Sequence, residues 1–275
     1  MQRAEQILLA GVMAVASVLA ACSRSPEATP PVSAVEPPPA REIALRADQV
    51  RFDRTGVAAT VRVEHRPASR LPAHPAPGTQ ATPANLLVIL DPATLTDPAI
   101  PESRSLIVYP AIDWSRTYKR LGRAADDPLP PLKKALDDEP KRLDIGLPPV
   151  AGHIGAREIF RTDTKYLRFH NGRGVRYLTV YQADLLPVTD QDVIYVFHGL
   201  TDDGKYWVTL NCPLTSHTLP APDAALAMLA DYDRFVAGQA AYLQDVVKKL
   251  SAARAEEFAP RLDRLDGMLE SLAID

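Results

Sequence analysis

The sequence predicts an α+β fold, an antiparallel β-sheet meander packed with C-terminal helices. Three observations carry that prediction. Four segments, Lys165–His170, Val175–Gln182, Val193–Gly199 and Tyr206–Cys212, are rich in β-branched and aromatic residues, the composition that fits a pleated, packed surface. They are linked as two hairpins by Asn171-Gly172-Arg173-Gly174 and Thr201-Asp202-Asp203-Gly204, residues that tolerate the positive φ of tight turns. Beyond them, Leu229, Tyr232, Val236, Gln239, Leu243, Val246 and Leu250 step by three and four, which is one face of a helix.

The whole chain has 275 residues, 46% of them apolar and 24% charged. Those proportions are near the globular average and exclude wholesale disorder, a collagen-like repeat and a polytopic membrane protein. The formal charge of −3 comes from acidic and basic residues mixed along the chain. No basic field exists to hold a phosphate backbone, so no nucleic-acid partner is expected. With only two cysteines, a disulfide framework is excluded.

Residues 1–21 read as a signal peptide. Arg3 adds charge beside the amino terminus, and Ile7–Ala21 is a charge-free run of 15 residues. A membrane-spanning helix needs about 20, so a signal-peptide core fits better. The run ends in Leu19-Ala20-Ala21-Cys22. This motif resembles the lipobox of bacterial lipoproteins. The resemblance implies a thioether between Cys22 and diacylglycerol, cleavage before Cys22, and acylation of the new amino terminus. Two or more acyl chains hold a protein stably on a membrane. Ser23 and Arg24 follow the cysteine; an aspartate there would signal inner-membrane retention. The expected location is therefore the cell envelope, on the outer membrane facing the periplasm. Residues 22–41 hold six prolines with few residues to bury and are expected to form an extended tether, at roughly 3 Å per residue.

Residues 42–275 are then expected to form one α+β domain. Its first strand pair is placed at Val50–Phe52 and Val57–Glu64, where Val57, Ala59, Val61 and Val63 alternate on one side. Residues 66–84 hold five prolines and are expected to form a loop. Asn85–Asp91 and Ser105–Tyr109 are short apolar runs that fit buried strands. A helical turn is placed at 114–122. Leu132, Ala135 and Leu136 form the apolar face of a short helix opened by Pro130-Pro131. Ala156–Phe160 starts a strand or a helix, and four strands follow. Two C-terminal helices complete the domain, the second marked by Leu262, Leu265, Leu269 and Leu272. Both stripes are expected to face the core.

The block Arg168–Pro213, with NGRGVRYLTVY and GLTDDGKYWV as its distinctive pieces, resembles segments of uncharacterised bacterial lipoproteins and secreted proteins. That resemblance carries no known activity. The order of elements also resembles the α/β/α sandwich of PsbP-like domains.

Candidate chemistry is sparse. Asp202 and Asp203 supply carboxylates of the kind calcium takes, but no further ligands follow at calcium-loop spacing, and a hairpin turn explains them. Cys212 and His217 stand five apart, with His198 near in sequence; tetrahedral zinc needs four ligands, or three and water. With Cys22 lipidated, Cys212 has no thiol partner and is expected to be buried. The histidines at 65, 74, 153, 170, 198 and 217 are scattered; His170 and His198 are read as strand-end residues, solvated or hydrogen-bonded. Gly152-His153-Ile154-Gly155 lacks phosphate-loop spacing. Arg168, Arg173 and Arg176 surround a hairpin and suit either an anionic ligand or a solvated rim. No catalytic residue, metal or cofactor is assigned. The expected function is a lipid-anchored envelope module that binds a protein or another envelope partner without catalysis. Two alternatives stay open: a hydrolase or metal-dependent enzyme with an unrecognised site, and a binder of small apolar ligands.

Overall fold

A seven-stranded sheet in which every neighbouring pair is antiparallel organises the domain, in the order β2-β3-β4-β8-β7-β6-β5. The computed structural model describes residues 45–70, 81–95, 104–148 and 156–275. These all belong to one compact unit, Pro39–Asp275. The signal peptide, Cys22, the tether, His74 and Gly152-His153-Ile154-Gly155 lie outside the described residues.

The strands are β1 (Val50–Arg51), β2 (Val61–Arg66), β3 (Asn85–Leu90), β4 (Ser105–Pro110), β5 (Arg157–Phe169), β6 (Gly172–Gln182), β7 (Ile194–Thr201), β8 (Tyr206–Pro213), β9 (Thr215–Ser216), β10 (Phe258–Ala259) and β11 (Ala273–Ile274). The helices are α1 (Ala111–Arg120), α2 (Leu129–Asp138), α3 (Pro222–Leu226), α4 (Tyr232–Ala252) and α5 (Leu262–Glu270). Two meanders meet at the centre of the sheet. The first, β2-β3-β4, joins the second through β4 and β8, which pair from Ser105↔Asn211 to Pro110↔Tyr206. The chain must then pass from β4 to the far edge at β5, and α1 and α2 make that passage.

Side chains alternate between the two faces of a strand, so the sheet has two cores. On one face Leu87, Ile89, Ile107, Val175, Tyr177, Val196 and Trp207 meet Trp114 of α1 and Leu132, Ala135 and Leu136 of α2. On the other, Leu86, Val88, Val108, Tyr195, Phe197, Val208 and Leu210 meet Val246 and Leu250 of α4 and Leu262, Leu265, Met268 and Leu269 of α5. Helices on both faces make three layers. This explains why NLLVIL, the whole of β3, is buried without alternation. The α+β fold with its meander and C-terminal helices is therefore present, and α1 and α2 add a third layer.

Three local expectations are corrected. First, β1 does not pair with residues 57–64. It pairs with β11, Val50 opposite Ile274, and strand structure resumes only at Val61, whose strand β2 is an outer edge with Val61 and Val63 37% and 38% exposed. Burial decides this, because Leu272 and Ile274 enter the core and bring the C-terminus against β1. Second, the turn between β5 and β6 is His170-Asn171, and Gly172 and Gly174 are strand residues. Neither has a positive φ. They are small because a Cβ on Gly172 would stand 2.2 Å from the Phe169 ring, and one on Gly174 2.2 Å from the Phe197 ring. Third, the α4 stripe joins the core only in its second half: Val246 and Leu250 pack into it, whereas Tyr232 and Val236 are exposed.

The other turn is as expected. Gly204 has φ +68°, and Asp203 Oδ1 accepts hydrogen bonds from Thr201 Oγ1 (2.7 Å) and the Lys205 N–H (3.0 Å). The Lys205 ammonium, with these two bonds, holds the pKa of Asp203 down to about 2.

Candidate functional site: an apolar hollow on the projecting half of α4

The sequence candidates for chemistry do not converge. His198 is in the middle of β7 and 2% exposed, neither at a strand end nor solvated. Its ring stacks between Tyr177 and Trp207, with centroids at 6.1 and 5.6 Å. Nε2 lies 3.5 Å from the Tyr177 hydroxyl, and Nδ1 is buried without a hydrogen-bond partner. Desolvation, helped by the Arg161 charge, lowers its pKa to about 3, so the imidazole is neutral. Cys212 belongs to the opposite core and is fully buried, its thiol pushed up to about 11 by desolvation. His217 is exposed beside the β9–β10 pair, its N–H donating to the Glu257 carbonyl. His198, Cys212 and His217 thus face three different environments, and a site made from them is ruled out. Among the described residues, no group of three or more His, Cys, Asp or Glu side chains is arranged to hold a metal.

The arginines divide. Arg168 is exposed. Arg173 donates to the Leu136 carbonyl and pairs with Asp137, fixing the end of α2 over β6. Arg176 is 5% exposed and not on a solvated rim. It pairs with Asp163 at the bulge of β5 and lies 3.2 Å from Asp266 of α5. Asp266 also accepts from Tyr195 Oη (2.7 Å) and Lys165 Nζ (2.8 Å). That network docks α5 on the sheet and leaves no free cation for an anionic ligand at Arg176.

What the fold leaves open is α3 and the first half of α4. Pro222 starts α3 in its first turn, a 3-10 segment spans Ala227–Asp231, and the Asp231 carboxylate caps α4 by accepting from the Arg234 N–H at 3.0 Å. Leu226, Met228, Tyr232 and Val236 are 59%, 40%, 48% and 39% exposed. Beside them is a hollow of about 420 Å³ lined by Ala227, Met228, Ala230, Phe235, Gly238 and Tyr242, with Asp231 and Arg234 as its polar groups. Phe235 and Tyr242 form its base edge to face at 5.5 Å. Tyr242 is held in turn by Val188, whose N–H donates to the phenol oxygen (2.8 Å) and whose carbonyl accepts from it (3.1 Å).

No protein-family model, curated protein or solved structure matches this chain. The hollow is therefore weighed on its own chemistry. It offers apolar surface with one carboxylate, Asp231, and one cation, Arg234, a surface for holding rather than for proton or group transfer. Sequence reasoning missed it because the stripe Leu229–Leu250 has the same period throughout. The one local signal was Gly238, which weakens the helix at the hollow by about 1 kcal/mol relative to Ala.

Proposed function

We propose that this chain is a lipid-anchored cell-envelope protein whose domain docks an amphipathic protein segment on the projecting half of α4. The lipobox at Cys22 supports the anchor, and the absence of an aspartate after it supports the outer membrane, facing the periplasm. The observation that carries the docking is the exposure of Leu226, Met228, Tyr232 and Val236 in one stretch beside the hollow. Clustered exposed apolar residues mark interaction surfaces. In sequence, Asp223, Asp231 and Asp233 on this stretch outnumber Arg234, which favours a partner whose apolar residues are flanked by basic ones.

Two measurements test the proposal. Metabolic labelling with a fatty acid should mark the wild type and not Cys22→Ser; equal labelling removes the anchor. A photo-crosslinker placed at Tyr232 in cells should give one discrete adduct, lost in Val236→Asp and in Asp231→Lys/Asp233→Lys. The same group at Ile112, a 63%-exposed residue of α1, should not give it. Adducts of equal yield at both positions would show that α4 is not the docking surface.

A further inference from the structure

The outer edge of β2 is open among the described residues: β2 ends the sheet, and no other described strand pairs with it. Such edges usually carry devices against pairing, for example charged side chains. Here the sequence is Val61-Arg62-Val63-Glu64-His65-Arg66, with charges of both signs, and they lie in an order that matters.

The hydrogen-bond phase of β2 is fixed by its inner neighbour. The Asp91 N–H donates to the Thr60 carbonyl at 2.9 Å, and the register continues with Val61 opposite Leu90. Bonded and non-bonded pairs alternate along an antiparallel ladder. Arg62, Glu64 and Arg66 therefore direct their backbone groups to β3. Val61, Val63 and His65 direct theirs outward. A second β2 running antiparallel across a two-fold axis must match outward residues with outward residues, so the axis passes through a residue and not between two.

We propose that two copies of this chain pair through β2 about a two-fold axis at Val63. In that register Val63 opposes Val63 of the second copy, and Val61 opposes His65 in both directions, so all three outward residues exchange backbone bonds. Arg62 then opposes Glu64, twice. On its own strand Glu64 already lies 3.0 Å from Arg62 and 3.3 Å from Arg66. The dimer adds a third cation to each carboxylate. Other axes are worse. An axis at Arg62 or Glu64 sets like charges face to face, which is unfavourable in direct cross-strand pairs. An axis at His65 brings Pro67, which has no N–H, against Val63. Val61 and Val63, more than a third exposed as they stand, would be covered by their counterparts. The two sheets would become one continuous sheet, a closed isologous contact.

This surface is separate from α4, so the two readings fail independently. Val63→Cys is the direct test, since a bonded antiparallel pair sets Cα atoms about 5.5 Å apart, within disulfide reach of about 4.4–6.8 Å. Under mild oxidation the full chain in detergent should form a covalent dimer with Val63→Cys and not with Ile112→Cys. By sedimentation the unmodified chain should be dimeric. Arg62→Glu and Glu64→Arg should each make it monomeric, and the double swap Arg62→Glu/Glu64→Arg should restore the dimer. Val236→Asp on α4 should leave the dimer intact. A monomer with wild-type β2 overturns the proposal, as does a dimer that Arg62→Glu leaves unchanged or the double swap fails to restore.

Discussion

Gly174 and His198 are set by crowding on opposite faces of the sheet. A side chain on Gly174 would meet Phe197 Cζ at 2.2 Å and the His198 carbonyl oxygen at 2.7 Å. The ring could turn away, but the backbone carbonyl could not. Gly174→Ala should therefore cost about 1–3 kcal/mol, as for overpacking, read as a lower urea midpoint. Gly204 contrasts with it, since nothing lies within 4 Å of a Cβ there and only the φ of +68° opposes a side chain. His198 makes a pH prediction. Its pKa is about 3 in the fold and about 6.5 in the unfolded chain. Between those values the unfolded state binds a proton that the folded state refuses, so stability falls as pH falls. The slope approaches 1.4 kcal/mol per pH unit from about pH 6.5 downward. His198→Phe keeps the stack on Trp207 and has no proton to bind. Its melting temperature should fall less steeply than that of the wild type from pH 6.5 to 4; parallel curves would mean that His198 is protonated in the fold.

At the scale of the element, the helices divide into docked and undocked lengths. Leu269 of α5 is fully buried, and Leu269→Ala should cost about 2–5 kcal/mol. Asp266 on the same helix answers Arg176, Lys165 and Tyr195. Asp266→Ala leaves Arg176 buried and short of a partner, and breaking such a pair costs about 3–5 kcal/mol. On α4 the two ends should respond differently. Val246→Ala should lower the melting temperature, whereas Val236→Ala should not; equal losses would mean that the first half of α4 is docked after all. The sequence made these helices visible through their period. It did not show where cover stops, because that depends on how far the sheet reaches beneath the helix. The strands were legible for a similar reason: NLLVIL and VIYVFHG are rich in the residues a doubly covered sheet requires. Arg176 was not legible, since an arginine in VRYLTV alternates as a surface residue would, and only the bulge at Asp163 and the approach of α5 explain its burial. The candidate site was legible only as part of a uniform stripe.

For the whole molecule, the order of the sheet lay beyond local pattern. The pairing of β4 with β8 joins residues about a hundred positions apart, and nothing in SLIVY names YWVTLNC as its neighbour. The same holds for the C-terminus, which the sequence presents as the end of a helix. In the fold it is a clasp. Leu272 accepts a hydrogen bond from the His170 N–H, and Asn171 bonds Ile274 through both its amide oxygen and nitrogen. The last residues thus hold the β5–β6 turn and β1 together. Removing Leu272–Asp275 strips three buried side chains, Ala273 and the larger Leu272 and Ile274, the larger two at about 1.5–3 kcal/mol each, and takes from Asn171 and β1 their partners there. That loss is comparable with the whole stability of an ordinary domain, about 5–15 kcal/mol. The truncated chain should therefore melt far lower and be cut by protease at temperatures where the intact chain resists. Removing Asp275 alone, which costs an exposed pair with Arg51 and two exposed hydrogen bonds with Gln49, strips no buried side chain and should cost only about 1–2 kcal/mol. The contrast separates a clasp from a tail: if both deletions behave alike, the C-terminus is not holding the sheet to β1.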